Sequence, residues 1–147
     1  MSFLQWNDSL DLGIDLIDGH HRHLVSLVNM AHQRMQEGCG CDVMTALLNE
    51  LADYATYHFA AEEYWMLEYE YPHRQAHALE HENFSVKVVE LELQFASGNH
   101  DILPELVSFL STWLVEHIQK SDGAYGTYAR SIGATHDHKH PFTPRVT

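Results

Sequence analysis

Residues 47–66, LLNELADYATYHFAAEEYWM, carry large side chains at intervals of three and four residues. This spacing predicts an α-helix with one buried face, because residues three and four apart lie on the same side of the helix axis. Two members of the stripe are not apolar. His58 and Glu62 stand four residues apart, between Leu51 and Trp65. The stretch therefore predicts a helix whose buried face carries an imidazole and a carboxylate.

Three further segments of helical length surround this one, separated by breaks rich in glycine or proline. The four predicted helices span about residues 18–37, 42–69, 73–96 and 104–122. None shows the alternation of a β-strand, and short connections make neighbouring helices antiparallel. The predicted fold class is all-α, an up-down-up-down antiparallel four-helix bundle. We expect one domain over residues 1–125, including an N-terminal arm over residues 1–17, and a short flexible C-terminal tail over residues 126–147.

The composition restricts the function classes. The chain has 147 residues, with 21 acidic against 8 basic side chains and a formal net charge of −13. Such a surface repels nucleic acids and anionic membranes, so neither is an expected partner. There is no apolar run of the roughly 20 residues that cross a bilayer, no secretory signal and only two cysteines, which favours a cytoplasmic protein. The 13 histidines are notable, because histidine is the commonest metal ligand.

Histidines and one carboxylate occupy predicted core positions on all four helices. They are His21 on the first helix, His58 and Glu62 on the second, His77 and His81 on the third, and His117 on the fourth. A single buried histidine is more often a neutral, hydrogen-bonded core residue than a metal ligand. Each unpaired buried polar group costs about 1–3 kcal/mol, and a metal cluster satisfies several of them together. Convergence from four helices therefore predicts a metal site.

Asp122 is a candidate ligand that spacing alone does not select. It follows His117 by five residues, which is about 140° around an ideal α-helix. The two side chains can share one site only if the helix is distorted between them, for example by a π turn.

The chain resembles the bacterial hemerythrin family, hemerythrin-like di-iron four-helix bundles, along residues 3–125. The matching segments are Trp6 through DGHHR at 18–22, HFAAEE at 58–63, Tyr71-Pro72 followed by His77 and His81, and WLVEHI at 113–118 with Asp122. Five histidines and two carboxylates in this order form a far more specific signature than a lone H-x-x-x-H pair.

The resemblance implies a cofactor of two iron ions (Fe2+/Fe3+) with an oxo or hydroxo bridge. One iron would be held by His77, His81 and His117, the other by His21 and His58, and both by bridging Glu62 and Asp122. The iron with two histidines would keep an open position for dioxygen, in an apolar pocket walled by Leu24, Phe59, Trp113, Leu114 and Ile118. Independently of the resemblance, imidazole and carboxylate donors suit iron, manganese or zinc. The pocket residues also fit an ordinary helical core.

The chain departs from the family pattern at two positions. Position 20 is usually glutamine and is His20 here. It lies about 100° around the helix from His21, so we expect it at the surface or beside a ligand. Position 70 is commonly glycine and is Glu70 here, which is expected to reshape the turn. A metal-binding or redox role is an alternative, though not the simpler one, for two further groups: the tail histidines His136, His138 and His140, and the loop cysteines Cys39 and Cys41.

The predicted function is reversible dioxygen binding at a non-haem di-iron centre, serving oxygen transport, storage or delivery rather than catalysis. The expected partners are dioxygen and an oxygen-consuming enzyme, with a monomer or small homo-oligomer as the assembly. The alternatives are an oxygen or redox sensor, a di-iron oxidase or peroxidase, and iron storage or nitric oxide handling. A sensor is less expected, because sensors usually carry a fused signalling domain and residues 123–147 are few for that purpose.

Overall fold

The computed structural model describes residues 3–38, 40–136 and 138–139, and these ranges form a bundle of helices. The main helices are α1 (Asp15–Glu37), α2 (Cys41–Glu68), α3 (Arg74–Ala96) and α4 (Leu103–Glu116). A π-helical segment (His117–Asp122) and α5 (Gly123–Ser131) extend α4, and short 3-10 turns occupy Asp8–Leu10 and His100–Ile102. The predicted all-α four-helix bundle is confirmed. Within the described ranges, no helix is long and apolar enough to cross a bilayer.

Local sequence sets where the helices end. Gly38 closes α1 in the left-handed conformation, with φ of 71°, and its N–H donates to the carbonyls of the last turn. Glycine adopts this conformation without steric cost. Pro104 stands in the first turn of α4, where a missing N–H costs nothing. Glu70, in the turn after α2, also has a positive φ of 55°. The turn therefore keeps a glycine-like backbone although a glutamate occupies it.

The helices pack in a closed ring around one core. α1 contacts α2 and α4, and α3 also contacts α2 and α4. Most positions of the predicted helical stripes face inward, and the buried ones include Leu24, Leu51, Trp65, Leu91, Leu106 and Leu110. Burying one such side chain contributes about 1.5–3 kcal/mol. The ring geometry directs the inward face of every main helix towards a common centre.

The described residues of the N-terminal arm pack against the bundle. Leu10, Leu12 and Ile14 are buried. The carboxylate of Asp18 accepts hydrogen bonds from the N–H of Leu12 at 2.8 Å and of Gly13 at 3.1 Å. These contacts fix the chain where it enters α1.

The C-terminal boundary differs from the prediction. The fourth helix was expected to end near Asp122 and the tail to begin at residue 126, whereas α5 continues to Ser131. Gly123 does not end the helix, because it keeps helical angles, and the backbone of Gly126 packs closely on Leu12 of the arm. Helical structure therefore extends to Ser131, beyond the end predicted for the fourth helix.

The described residues beyond α5 contact the end of the bundle. The ring nitrogens of His138 lie 2.6 Å from the Tyr125 hydroxyl and 2.8 Å from the Ala134 carbonyl. The indole N–H of Trp65 donates to the Lys139 carbonyl at 2.6 Å. His138 is thus used in packing, which disfavours the alternative that it binds a metal. His140 and Cys39 lie outside the described residues, and the flexibility of the tail stays a prediction.

Candidate metal centre

Two groups of side chains meet inside the bundle. One consists of Glu62, His77, His81 and His117, the other of His21, His58, Glu62 and Asp122. Within each group, one potential ligand atom per residue lies within 4.8 Å of the others. All seven side chains are buried, with residue exposures of 5% or less. The structure therefore brings together all seven residues that the resemblance implies as metal ligands.

Glu62 belongs to both groups and divides its two oxygens between them. Its Oε1 lies 3.1 Å from Nε2 of both His77 and His81. Its Oε2 lies 3.2 Å from Nε2 of His21 and 3.0 Å from Nε2 of His58. One carboxylate thus faces histidines of both groups.

Asp122 repeats this arrangement from the fourth helix. Its Oδ1 lies 3.0 Å from Nε2 of His77 and 3.3 Å from Nε2 of His117. Its Oδ2 lies 2.9 Å from Nε2 of His21. Both carboxylates therefore present one oxygen to each group, which is the arrangement required to bridge two metal ions.

A π-helical segment brings Asp122 into this position. It spans His117–Asp122, with α-helical structure before and after it. A π turn closes between residues five apart, so Asp122 comes to the same face as His117. The distortion that the spacing required is present in the structure.

Two carboxylates nearer the surface contact the outer nitrogens of two of these histidines. Glu63 Oε2 lies 3.0 Å from His81 Nδ1, and Glu80 Oε2 lies 3.7 Å from His117 Nδ1. Glu63 is partly buried and lies directly beside a ligand-type histidine. Glu80 was not among the residues predicted from the sequence. The only signal for it was its position three residues after His77, which places it on a neighbouring part of the α3 surface.

His20 is buried beside a ligand-type histidine. It is 6% exposed, and its Nδ1 lies 2.8 Å from Nδ1 of His58. Of the two positions expected for this residue, the structure places it in the interior one.

Aromatic rings cover the group that contains three histidines. Phe59 stacks on His81 with ring centroids 4.0 Å apart, and Trp113 stacks on His117 at 4.3 Å. Phe59 and Trp113 also contact each other edge to face, at 5.7 Å. The other predicted pocket residues are all buried in the same apolar core: Leu24, Leu114 and Ile118. Aromatic and aliphatic side chains therefore border the centre on this side.

The Cys41 thiol is the other described candidate from the sequence. It is exposed and lies 3.4 Å from Nε2 of His100, far along the chain from the central cluster. The two residues are not joined by a third potential ligand in any metal-binding group found among the described residues.

Comparison with known protein families identifies the family to which this chain belongs. The model of the hemerythrin HHE cation binding domain matches residues 12–129, most of the chain. The chain belongs to the hemerythrin family. This hemerythrin is 38% identical to the bacteriohemerythrin of Stenotrophomonas maltophilia over 131 residues, which are 89% of this chain and 84% of the relative. It is 32% identical to that of Clostridium acetobutylicum, covering 82% of this chain and 96% of the relative.

Solved structures agree with the family assignment. A crystal structure of wild-type hemerythrin matches with a TM-score of 0.78 at 26% identity, covering 86% of this chain and 97% of the other. A single-residue variant of hemerythrin matches with a TM-score of 0.80 at the same identity and coverage. Family, fold and ligand groups together support dioxygen binding at a di-iron site in this hemerythrin.

The residues of the centre fit metal ions. Nε2 of His58 and both oxygens of Asp122 are buried without a hydrogen-bond partner among the described residues. Leaving such atoms unsatisfied costs about 1–3 kcal/mol each, and metal coordination would remove that cost. Five imidazoles and two carboxylates, with no thiolate among them, form a donor set suited to iron, manganese or zinc.

The metal-free centre holds protons where metal ions would bind. Burial lowers the pKa of His21, but the nearby negative charges of Asp122 and Glu62 outweigh it and raise this pKa to about 9. The same balance raises the pKa of His77 to about 10 and that of His117 to about 9. Burial and Glu62 act to raise the pKa of Asp122, but the neighbouring histidines hold it well below its usual value.

His58 differs from these three histidines. Burial lowers its pKa and outweighs the attraction of Glu62, so its imidazole is neutral. The pKa of Glu62 lies well below its usual value, because the surrounding histidines outweigh its burial. Metal binding to this hemerythrin is therefore expected to release protons, since bound imidazoles must be neutral.

We expect the metal-free protein to lose stability between pH 6.5 and pH 9.5. His21, His77 and His117 have folded-state pKa values of about 9–10, above the unfolded value of 6.5. Their protonation therefore stabilises the fold fully below pH 6.5, and this contribution is lost as the pH rises through 9–10. Because one pKa unit corresponds to about 1.4 kcal/mol, each of these histidines taken alone corresponds to about 3–5 kcal/mol, and the free energy of unfolding in urea should fall by at least about 3 kcal/mol over this range.

The control is Asp122→Asn, which removes the charge that raises the pKa of His21 and His117. The free energy of unfolding of its metal-free form should fall less steeply with pH over the same range. A flat profile in the unaltered metal-free protein would contradict the proton assignment.

Proposed function

We propose that this chain binds dioxygen reversibly at a centre of two iron ions and serves as an oxygen carrier, store or delivery protein. The observation that carries the proposal is the division of both carboxylates between the two ligand groups. Hemerythrins bind dioxygen rather than transform a substrate, and we propose the same for this chain.

The proposed ligand sets follow the two groups. His77, His81 and His117 would hold one iron, and His21 and His58 the other. Glu62 and Asp122 would bridge them, together with a solvent-derived oxo or hydroxo group. When bound, the two ions supply the electrons that dioxygen takes up on binding and returns on release.

The chain contributes unequal ligand sets and a dry pocket. One group offers three imidazoles and the other only two, so the second ion is the one expected to keep a position open to dioxygen. Leu24, Phe59, Trp113, Leu114 and Ile118 would form the pocket and exclude water, which otherwise promotes irreversible oxidation of the centre. Four of these five belong to the buried core, and Trp113 packs against it.

The remaining parts of the proposal concern cellular context. An exposed free thiol at Cys41 fits a reducing compartment, so we place the protein in the cytoplasm. The proposed partners are dioxygen and an oxygen-consuming enzyme. The proposed assembly is a monomer or a small homo-oligomer.

The test is an optical spectrum of iron-loaded protein, reduced without oxygen, recorded before air, after air and after removal of the oxygen. We expect a charge-transfer band that appears with oxygen and disappears reversibly. Zinc-loaded protein is the control, because zinc has no redox chemistry and should give no band. Immediate and irreversible oxidation in air would contradict the carrier function and favour an oxidase, a peroxidase or a redox sensor.

A further inference from the structure

A hydrogen bond between two imidazoles links His58 of the candidate metal centre to His20 on α1. Nδ1 of His20 and Nδ1 of His58 lie 2.8 Å apart, and both side chains are buried. A neutral imidazole has one N–H donor and one bare acceptor nitrogen. One ring must therefore donate and the other accept, so the tautomer of one histidine determines that of the other.

The surroundings of His58 indicate which ring donates. If its Nδ1 were bare, its Nε2 would carry the proton and would need an acceptor inside the centre. Nε2 lies 3.0 Å from Glu62 Oε2, yet the atoms are not aligned for a hydrogen bond and Nε2 has no such partner among the described residues. The contacts therefore agree with a proton on Nδ1 and a lone pair on Nε2.

We propose that His20 is a positioning residue for the metal centre: it accepts the Nδ1 proton of His58 and holds the Nε2 lone pair of His58 towards the metal. The inference rests on the proposed function in that it takes His58 as a ligand. A ligating histidine commonly gives its other N–H to an acceptor, which fixes the tautomer and the ring orientation. Here that acceptor is a second imidazole.

Aromatic packing holds His20 in the required orientation. Its ring centroid lies 5.9 Å from Tyr54, 5.5 Å from Tyr57 and 5.8 Å from Trp65. Trp65 is itself fully buried. An acceptor whose rotamer is fixed by packing orients its partner with little further loss of conformational freedom. The Tyr and Trp rings therefore act on His58 through His20.

The first test measures Co²⁺ binding to the full metal-free chain by competition with a chelator. His20→Leu removes the acceptor. We expect it to lower the affinity for one of the two bound ions by about 10–100-fold and to change the affinity for the other by less than about threefold. His20→Gln supplies an amide oxygen as acceptor and should restore affinity to within about threefold of the unaltered chain. His32→Leu, which changes a histidine on the same helix that stacks on Phe3 of the arm, should have no effect.

Two results would overturn the proposal. One is unchanged, tight binding of both ions by His20→Leu, and the other is a loss of affinity in His20→Gln as large as that in His20→Leu. If His20→Leu does not fold by circular dichroism, His20→Phe replaces it, since phenylalanine keeps a planar ring without an acceptor. Each of these variants is compared at equal helix content.

The second test does not depend on metal. In ¹⁵N-labelled, metal-free protein we expect a scalar coupling across the hydrogen bond between the two Nδ1 atoms, with the proton assigned to His58. A proton on Nδ1 of His20 would overturn the proposed direction. If the unaltered chain binds no pair of ions, the proposed function fails, while this coupling still reports on the histidine pair.

Discussion

Replacing either carboxylate of the centre, in Glu62→Ala or Asp122→Ala, is expected to abolish the spectrum of a coupled iron pair. Each carboxylate presents one oxygen to each ligand group, at distances of 2.9–3.2 Å from the nearest histidine nitrogens. Alanine therefore removes a ligand from both proposed ions and the connection between them. The measurement is the optical and magnetic spectrum of the iron-loaded variants, together with iron content per chain.

The control for these variants is Glu116→Ala, which removes an exposed carboxylate one residue before His117. It should keep the spectrum unchanged. Removing one partner of a buried ionic group costs about 3–5 kcal/mol, so helix content is measured alongside. The bridging assignment is wrong if both Glu62→Ala and Asp122→Ala keep the coupled spectrum.

The sequence predicts the helical ligands because their spacing carries the information. His58 and Glu62 stand four residues apart on one stripe, as do His77 and His81, and helical geometry places each pair on a common face. Antiparallel packing then directs the stripes of all four helices inward. For these residues, the periodicity of each helix and the closed ring of helices together place the side chains in one centre.

Asp122 follows a different rule. A regular helix would place it well away from His117, and only the π segment brings the two together. Periodicity cannot predict a π turn, because such a turn interrupts the 3.6-residue repeat on which the prediction rests. The resemblance to a family identified Asp122, whereas spacing did not.

The end of the fourth helix was mispredicted for a related reason. Gly123 resembles a helix stop, since glycine costs about 1 kcal/mol relative to alanine within a helix. Tertiary contacts offset this penalty: Tyr125 is buried and Gly126 packs on Leu12 of the arm. The arm and α5 lie far apart in the sequence, so local sequence patterns do not predict the contact between them.

Contacts between helices also explain why the residues around the ligands were harder to predict. His20 reaches His58 from another helix, and Glu80 reaches His117 from another helix. Their roles depend on which ring nitrogen faces outward after the bundle has formed. A single sequence gives the face of a residue on its own helix but not its partner on the next.

Leu114→Ala is expected to shorten the lifetime of the oxygenated protein. Leu114 is 5% exposed and stands one turn before His117, in the proposed pocket wall. Alanine leaves a cavity that admits water to a site proposed to depend on water exclusion. We expect irreversible oxidation to accelerate on the order of tenfold, which corresponds to a barrier lowered by about 1.4 kcal/mol. The measurement is the decay of the oxygenated band in air.

Leu110→Ala separates the effect on the pocket from a general loss of stability. Leu110 is 1% exposed on the same helix, one turn farther from His117. Both substitutions should cost about 2–5 kcal/mol of unfolding free energy, but only Leu114→Ala opens the wall beside the centre. Equal acceleration in both variants would indicate destabilisation rather than water entry. An unchanged decay rate in Leu114→Ala would show that this side chain does not shield the bound dioxygen.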